Sequence, residues 1–136
     1  MLFDRPIGIL TIACEASDQS ELCQQAVIAS IRNRMNSGRF ESTIAGVCMQ
    51  RFQYSEYLSD KGDNSNLERV LDLPDNAPSI IAASQAYDTV MAEPSLDPSQ
   101  GATHFYADGI PAPNWATAPA VLAVKIGAVN FWKNVA

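Results

Sequence analysis

The sequence predicts an α+β fold that is mainly helical and has a small β element near its C-terminal end. Apolar residues recur at helical spacing between residues 22 and 35 and again between 79 and 92. The tail after residue 101 is instead β-branched and aromatic and is interrupted by prolines, which is typical of short strands and ordered loops. The 136 residues contain no internal repeat or linker, so residues 1–136 are predicted to form one domain.

The first two helices follow from the opening of the chain. Residues 6–14 are apolar and predict a short helix. Asp18 with Glu21 three positions later resembles a capping box, which predicts that a second helix starts there. The apolar face of this helix is marked by Leu22, Ala26, Val27, Ser30, Ile31 and Met35. "NSG" at 36–38 ends it, because glycine favours the left-handed conformation that closes a helix.

The middle of the chain alternates helical and polar segments. Residues 42–50, "STIAGVCMQ", predict a short helix capped by Ser42. Residues 51–76 are polar and rich in Asp and Asn, which predicts a long loop with room for one hairpin. Pro78 suits a first helical turn, and "SIIAASQAYDTVMA" predicts a helix that ends before Pro94.

Composition and charge argue against nucleic acid, membranes and metals as partners. The formal net charge is −6 and the acidic excess lies beyond Arg51, whereas nucleic acid calls for a basic face. No apolar run approaches the roughly 18 residues of a membrane span, and the first residues lack the basic region of a signal peptide. Cys14, Cys23 and Cys48 include no closely spaced pair and the chain has one histidine, so no metal or other cofactor is expected. We interpret the cysteines as free, buried thiols.

One carboxylate stands at the end of the first apolar segment. Glu15 follows Ile12, Ala13 and Cys14 and precedes a short polar turn. Partial burial disfavours the charged form, so we expect the pKa of Glu15 to rise from about 4.3 towards roughly 6. A carboxylic acid that is still protonated near neutral pH can donate a proton to a leaving oxygen, as cleavage of a glycosidic bond requires. Position alone also allows a structural role, in which Glu15 caps the next helix or pairs with an arginine.

Four segments in series resemble a known family. They are "TIACEASDQSELCQQAVIASIRNRM", "VCMQRFQYSEY", "GATHFYADGIPAPNW" and "KIGAVNFWK". Their order and approximate spacing are similar to those of the SleB-like cell-wall hydrolases, which include spore-cortex lytic enzymes and many phage lysins. The resemblance covers roughly residues 9–133 and is poor in the 58–77 loop. It implies a lysozyme-like, lytic transglycosylase-like fold and places the family's catalytic acid at Glu15.

The resemblance also implies which residues line the cleft beside Glu15. "QYS" looks like the family's Gln-Phe-Ser, so Gln53, Tyr54 and Ser55 are the expected substrate-binding residues there. An amide and a hydroxyl suit a sugar site, because both form hydrogen bonds with hydroxyl and N-acetyl groups without carrying charge. Without the resemblance, these residues would be interpreted as an ordinary loop.

The segment "ATHFYA" resembles the far wall of the cleft. Thr103, His104 and Tyr106 offer polar tips, and Phe105 and Trp115 offer aromatic faces for sugar rings. Alternation along a strand puts Thr103 and Phe105 on one side and His104 and Tyr106 on the other, so only one pair can face the cleft. A buried structural role for His104 stays open.

The turn after Glu15 departs from the family pattern. The family continues with a motif close to Ala-Arg-Gly-Glu, whereas this chain reads "EASDQSE". The family's second acidic position is therefore unassigned, with Glu21, Asp18 and Glu56 as candidates. A catalytically inactive peptidoglycan-binding protein and a structural virion component remain alternatives to an enzyme.

The resemblance implies a muramidase that cleaves the β-1,4 bond between N-acetylmuramic acid and N-acetylglucosamine in the glycan strand of bacterial peptidoglycan. We expect a lytic transglycosylase, with hydrolysis of the lysozyme type as the alternative. We further expect a monomeric phage endolysin that stays in the host bacterial cytoplasm until a holin-like partner allows it to reach the cell wall. Transport in a virion is the other route.

Overall fold

The computed structural model describes residues 2–50 and 65–136, in which five helices precede a three-stranded sheet. The helices are α1 (Asp4–Ala16), α2 (Glu21–Ser37), α3 (Ile44–Met49), α4 (Ser65–Leu71) and α5 (Pro78–Ala92). The strands are β1 (His104–Ala107), β2 (Val121–Ile126) and β3 (Val129–Lys133). The predicted α+β class is confirmed. Within the described ranges, no helix is both long enough and apolar enough to cross a membrane.

α1 contacts the four other helices of the described ranges, and α2 packs against α1, α3 and α5. The apolar residues Val27, Ile28 and Ile31 of α2 are completely buried in the hydrophobic core. Gly8 of α1 allows a close approach to α5, because a Cβ at this position would lie 2.5 Å from Cε2 of Tyr87. The apolar stripe predicted for residues 22–35 is therefore the face that holds the helical part together, although Leu22 itself is exposed.

The start of α2 differs from the sequence prediction. Ser20 is the N-cap, and its side chain accepts a hydrogen bond from the N–H of Cys23 at 3.2 Å, so the predicted cap at Asp18 is wrong. A capping oxygen must reach an N–H of the first turn, and Asp18 lies two residues too early for that. The end of the helix is as predicted, since Gly38 adopts the left-handed conformation with φ of 77°.

Two further predictions in the middle of the chain are corrected. α3 is capped by Thr43, which accepts from the N–H of Gly46 at 2.9 Å, and not by Ser42. The predicted loop over 51–76 is wrong for Ser65–Leu71, which form α4. This short helix contains only three apolar residues, Leu67, Val70 and Leu71, within a polar window, so its helical periodicity is too weak to recognise.

The loop between α5 and β1 is held by the C-terminal half of α2. Arg32 is buried, and its guanidinium donates hydrogen bonds to backbone carbonyls at the end of α5 and just beyond it. These carbonyls belong to Val90, Glu93 and Leu96. Asn33 donates from Nδ2 to the carbonyl of Ala102 at 2.9 Å. α2 therefore fixes the point at which the chain enters the sheet.

The sheet is antiparallel with the order β1–β3–β2, and its strands lie in the tail, where the sequence predicts short strands. His104 pairs with Trp132 and Phe105 pairs with Phe131. Phe131 is completely buried, and its ring centroid lies 5.7 Å from that of Phe105, so this face belongs to the core. Because side chains alternate along a strand, His104, Tyr106 and Trp132 share the opposite face.

Candidate active site

Glu15 is the penultimate residue of α1 and is partly buried. The residues on either side of it, Cys14 and Ala16, are buried. The carboxylate therefore lies at the end of the apolar helix α1, a few residues before α2. Its catalytic role is argued under the proposed function.

Two hydrogen bonds fix the turn that follows Glu15. Nε2 of Gln24, in α2, donates to the carbonyl of Ala16 at 3.0 Å. Oε1 of Gln19 accepts from the N–H of Ala128, between β2 and β3, at 3.3 Å. Gly127 makes room for this contact, because a Cβ there would lie 2.8 Å from the same oxygen and its φ is 56°. The end of α1 is thus held to α2 on one side and to the sheet on the other.

The two described candidates for a second acid have local roles. Asp18 is exposed, and its Oδ1 accepts from Nε2 of Gln19 at 3.3 Å. Glu21 is exposed in the first turn of α2, where the helix dipole stabilises a negative charge. Glu56, the third candidate, lies outside the described residues. The second acidic position therefore stays unassigned.

A cluster of rings occupies the outer face of the sheet, and we call it the aromatic cluster. Its members are Phe40, His104, Tyr106, Trp115 and Trp132. Trp115 is central, with ring centroids 4.9 Å from His104, 5.9 Å from Tyr106 and 6.3 Å from Trp132. All five side chains are partly exposed, so a ligand can reach ring faces and edges. The predicted grouping of His104 with Tyr106, away from Phe105, is confirmed.

His104 is uncharged at neutral pH. Burial, followed by the charges of Arg34 and Arg39, lowers the pKa of His104 to about 4. Its Nδ1 lies 2.8 Å from Oγ1 of Thr103, so the predicted polar tip of Thr103 is engaged with the histidine. The ring therefore contributes a neutral surface to the aromatic cluster.

Arg34 joins the end of α2 to the start of the sheet. Its side chain is buried, and Nε donates to the carbonyl of Thr103. Its Cζ lies 4.8 Å from the ring centroid of Phe40. The structural role of Arg34 could not be recognised from the sequence. One of its partners, Thr103, is 69 positions away, and another, Phe40, lies in the irregular segment after α2.

The structure thus brings together four residues of the predicted set, namely Thr103, His104, Tyr106 and Trp115. Glu15 lies towards the other end of α2. Gln24, which bonds to Ala16, and Arg34, which bonds to Thr103, are ten residues apart, or about 15 Å along the helix axis. The remaining predicted substrate-binding residues, Gln53, Tyr54 and Ser55, lie outside the described residues.

The three cysteines are buried and form no disulfide, as predicted. Burial, followed by the charge of Asp18, raises the pKa of Cys23 to about 11, so this thiol is protonated at neutral pH. In residues 2–50 and 65–136, there is no group of three or more His, Cys, Asp or Glu side chains that could hold a metal ion.

The family model described as "Cell Wall Hydrolase" matches residues 18–132 of the chain. The chain belongs to the cell wall hydrolase family. The match includes α2, α5 and the sheet with the aromatic cluster, and it begins three residues after Glu15. The predicted SleB-like cell-wall hydrolase family is confirmed, and with it the coarse function of an enzyme that hydrolyses the cell wall.

Two solved structures share the fold. One is the catalytic domain of the Bacillus cereus SleB protein, and the other is the catalytic domain of the germination-specific lytic transglycosylase SleB from Bacillus anthracis. Each has a TM-score of 0.70 and 21% sequence identity, and the superposition covers 98% of this chain and 91% and 96% of the two domains. The predicted lysozyme-like fold is confirmed. No curated protein gives a significant match.

Proposed function

We propose that this cell wall hydrolase is a lytic transglycosylase that cleaves the bond between N-acetylmuramic acid and N-acetylglucosamine, with Glu15 as its catalytic acid. The observation that carries the proposal is the placement of Glu15. It is a partly buried carboxylate at the end of α1, next to a turn that hydrogen bonds hold to both α2 and the sheet. A general acid needs this kind of fixed, partly desolvated position.

The reaction needs one carboxylate that acts twice. Glu15, in its acid form, donates a proton to the glycosidic oxygen, which leaves with the N-acetylglucosamine side of the strand. The resulting carboxylate then accepts the proton of the muramic C6 hydroxyl, whose oxygen bonds to the anomeric carbon and closes a 1,6-anhydro ring. This scheme is compatible with the exposed positions of Asp18 and Glu21, since neither has to act as a nucleophile.

The aromatic cluster supports the substrate side of the proposal. Sugar rings stack on aromatic faces through their apolar C–H surfaces, and the two largest rings of the cluster, Trp115 and Trp132, are both partly exposed. Neutral His104 and Tyr106 add hydrogen-bonding groups without a charge. The spacing of about 15 Å along α2 suits a polymer that extends from the reacting bond to a more distant sugar.

Product analysis tests the reaction type. Purified sacculi are digested with the protein, and the soluble fragments are analysed by mass spectrometry. The proposal predicts fragments that end in 1,6-anhydro-N-acetylmuramic acid. Reducing N-acetylmuramic acid ends would indicate hydrolysis, which needs a partner carboxylate roughly 5 to 9.5 Å from the acid. Sacculi that stay intact would contradict an enzyme of either type.

We extend the proposal to the role of a phage endolysin, which rests on the resemblance to a family that includes phage lysins. In this role the protein acts from the bacterial cytoplasm and depends on a membrane-permeabilising partner. Expression in a bacterium with and without such a partner tests it. Lysis is expected only when the membrane is permeabilised, and prompt lysis by the protein alone would contradict this part of the proposal.

A further inference from the structure

A groove lies between the start of α2 and the start of α5. It has a volume of about 410 Å³, which is within the usual range for pockets that bind small ligands. Six of its lining residues are polar, namely Ser17, Gln19, Glu21, Gln24, Ser79 and Gln85. Ser17 is the C-cap of α1, so the groove adjoins the turn after Glu15 but does not include the aromatic cluster.

Gln24 forms the floor of the groove. The residue is 2% exposed, and its Nε2 donates to the carbonyl of Ala16 at 3.0 Å. This bond fixes the amide plane and leaves Oε1 as a buried acceptor with no hydrogen-bond partner among the described residues. Buried polar atoms normally have a hydrogen-bond partner, so we expect a ligand group to donate a hydrogen bond to this oxygen.

α5 presents donors to the same groove. The helix begins at Pro78, and its N-cap Ala77 has no side chain that could cap it. Ser79 lies in the first turn, where a backbone N–H has no acceptor within the helix, and its hydroxyl is a further donor. A helix start on its own would favour an anion, but the exposed carboxylate of Glu21 at the rim opposes one. A neutral acceptor is therefore favoured.

We propose that this groove binds a secondary amide of peptidoglycan, which is either an N-acetyl group of the glycan or an amide of the stem peptide. The N–H of such an amide matches Oε1 of Gln24 at the floor, and its carbonyl matches the donors of Ser79. The substrate class rests on the proposed function. Binding in the groove would hold the strand on the side of Glu15 that is away from the aromatic cluster.

The experiment is a titration of the inactive variant Glu15→Gln, followed by backbone and glutamine side-chain NMR signals. The two probes are tri-N-acetylchitotriose and a synthetic stem tripeptide. Ala82→Phe, in the same background, fills the groove from α5, whereas Ile81→Phe places the same ring on a position of α5 that is 44% exposed and outside the groove. We expect signals of Ser79 and Gln24 to shift with one probe, and the affinity to fall at least about tenfold only for Ala82→Phe.

A second variant covers the case in which Ala82→Phe does not fold. The pair Ser79→Ala and Gln85→Ala removes groove hydrogen bonds at positions near the surface and should weaken the same probe. Shifts with the saccharide identify the N-acetyl group, and shifts with the tripeptide identify the stem. Absence of shifts with both, or equal affinities for Ala82→Phe and Ile81→Phe, would overturn the proposal.

The proposed function and the groove can fail separately. If Glu15→Gln still digests sacculi while the probe binds as described, the catalytic assignment fails and the groove stands. If the wild-type protein produces anhydro ends but neither probe binds in the groove, only the proposal about the groove fails.

Discussion

The side-chain oxygen of Gln19 accepts a hydrogen bond from the backbone N–H of Ala128 at 3.3 Å, which joins the turn after α1 to the turn between β2 and β3. These residues are 109 positions apart in the chain. The contact links the helical part, which carries Glu15, to the sheet, which carries the aromatic cluster. It therefore sets the relative position of the two parts of the candidate site.

Gln19→Ala removes this link, and we expect kcat to fall about tenfold or more, because small displacements of a catalytic group are costly. The free energy of unfolding should fall by only about 1 kcal/mol, the contribution of one partly exposed hydrogen bond. Steady-state kinetics and urea unfolding measure the two effects. Gln19→Glu keeps an acceptor for Ala128 and should restore kcat. A Gln19→Ala variant with wild-type kcat would show that the link has no part in positioning Glu15.

Arg32→Met should destabilise the protein by at least about 3 kcal/mol, since three backbone carbonyls at the end of α5 and beyond it lose a buried donor. Arg5→Met is the matched control. Arg5 pairs with Asp88 at 2.9 Å, but both side chains are more than half exposed, so the loss of stability should be much smaller than for Arg32→Met. Urea unfolding of the two variants compares them. Equal losses would contradict the structural role of Arg32.

His104 should make stability depend on pH. The pKa of His104 is about 4 in the folded protein and 6.5 in the unfolded chain, so the unfolded chain binds more protons between these two pH values. The contribution of the neutral ring to the free energy of unfolding is complete above about pH 6.5 and is lost as the pH falls towards 4. Allowing for solvent screening of a partly exposed ring, we expect a loss of about 1–2 kcal/mol.

His104→Gln cannot titrate and provides the comparison. Unfolding free energies of both proteins at pH 7 and pH 4.5 give a double difference that isolates the histidine from the carboxylates. This histidine is the only one in the chain, so no other imidazole contributes. An identical pH dependence for the two proteins would contradict the lowered pKa of His104.

Trp115→Ala should raise KM for soluble glycan fragments more than it lowers kcat, because the ring is the centre of the aromatic cluster and lies away from Glu15. Trp115→Phe keeps an aromatic face, so its KM should lie between those of Trp115→Ala and the wild type. Ile110→Ala, at a position that is 55% exposed in the same loop, is the control and should change neither constant. A drop in kcat with unchanged KM would argue against sugar binding at Trp115.

The sequence predicted the elements whose signals are local. The apolar run of α1, Pro78 at the start of α5 and Gly38 at the end of α2 each act within a few residues. The family resemblance supplied the role of Glu15. The caps at Ser20 and Thr43 were missed because several polar residues compete before each helix, and only the backbone decides which oxygen reaches the first turn.

Contacts between residues far apart in the chain could not be predicted from the sequence. The bond from Ala128 to Gln19 depends on how the hairpin docks against the α1–α2 turn, and no spacing in the chain encodes it. The same holds for Arg34, which reaches the carbonyl of Thr103 across 69 positions. The contact between Trp115 and His104 depends on the path of an irregular loop, which the sequence does not reveal. The placement of His104 and Phe105 on opposite faces of the sheet follows from strand geometry alone.

The most direct measurement of the central claim is the rate at which Glu15→Gln releases soluble fragments from purified sacculi. The amide is nearly the same size as the acid but has no proton to donate, so we predict a loss of at least about 10²-fold with an unchanged melting temperature. Asp18→Asn, an exposed carboxylate three residues further on, is the matched control and should keep the wild-type rate. Release of fragments by Glu15→Gln at the wild-type rate would contradict the assignment of Glu15 as the catalytic acid.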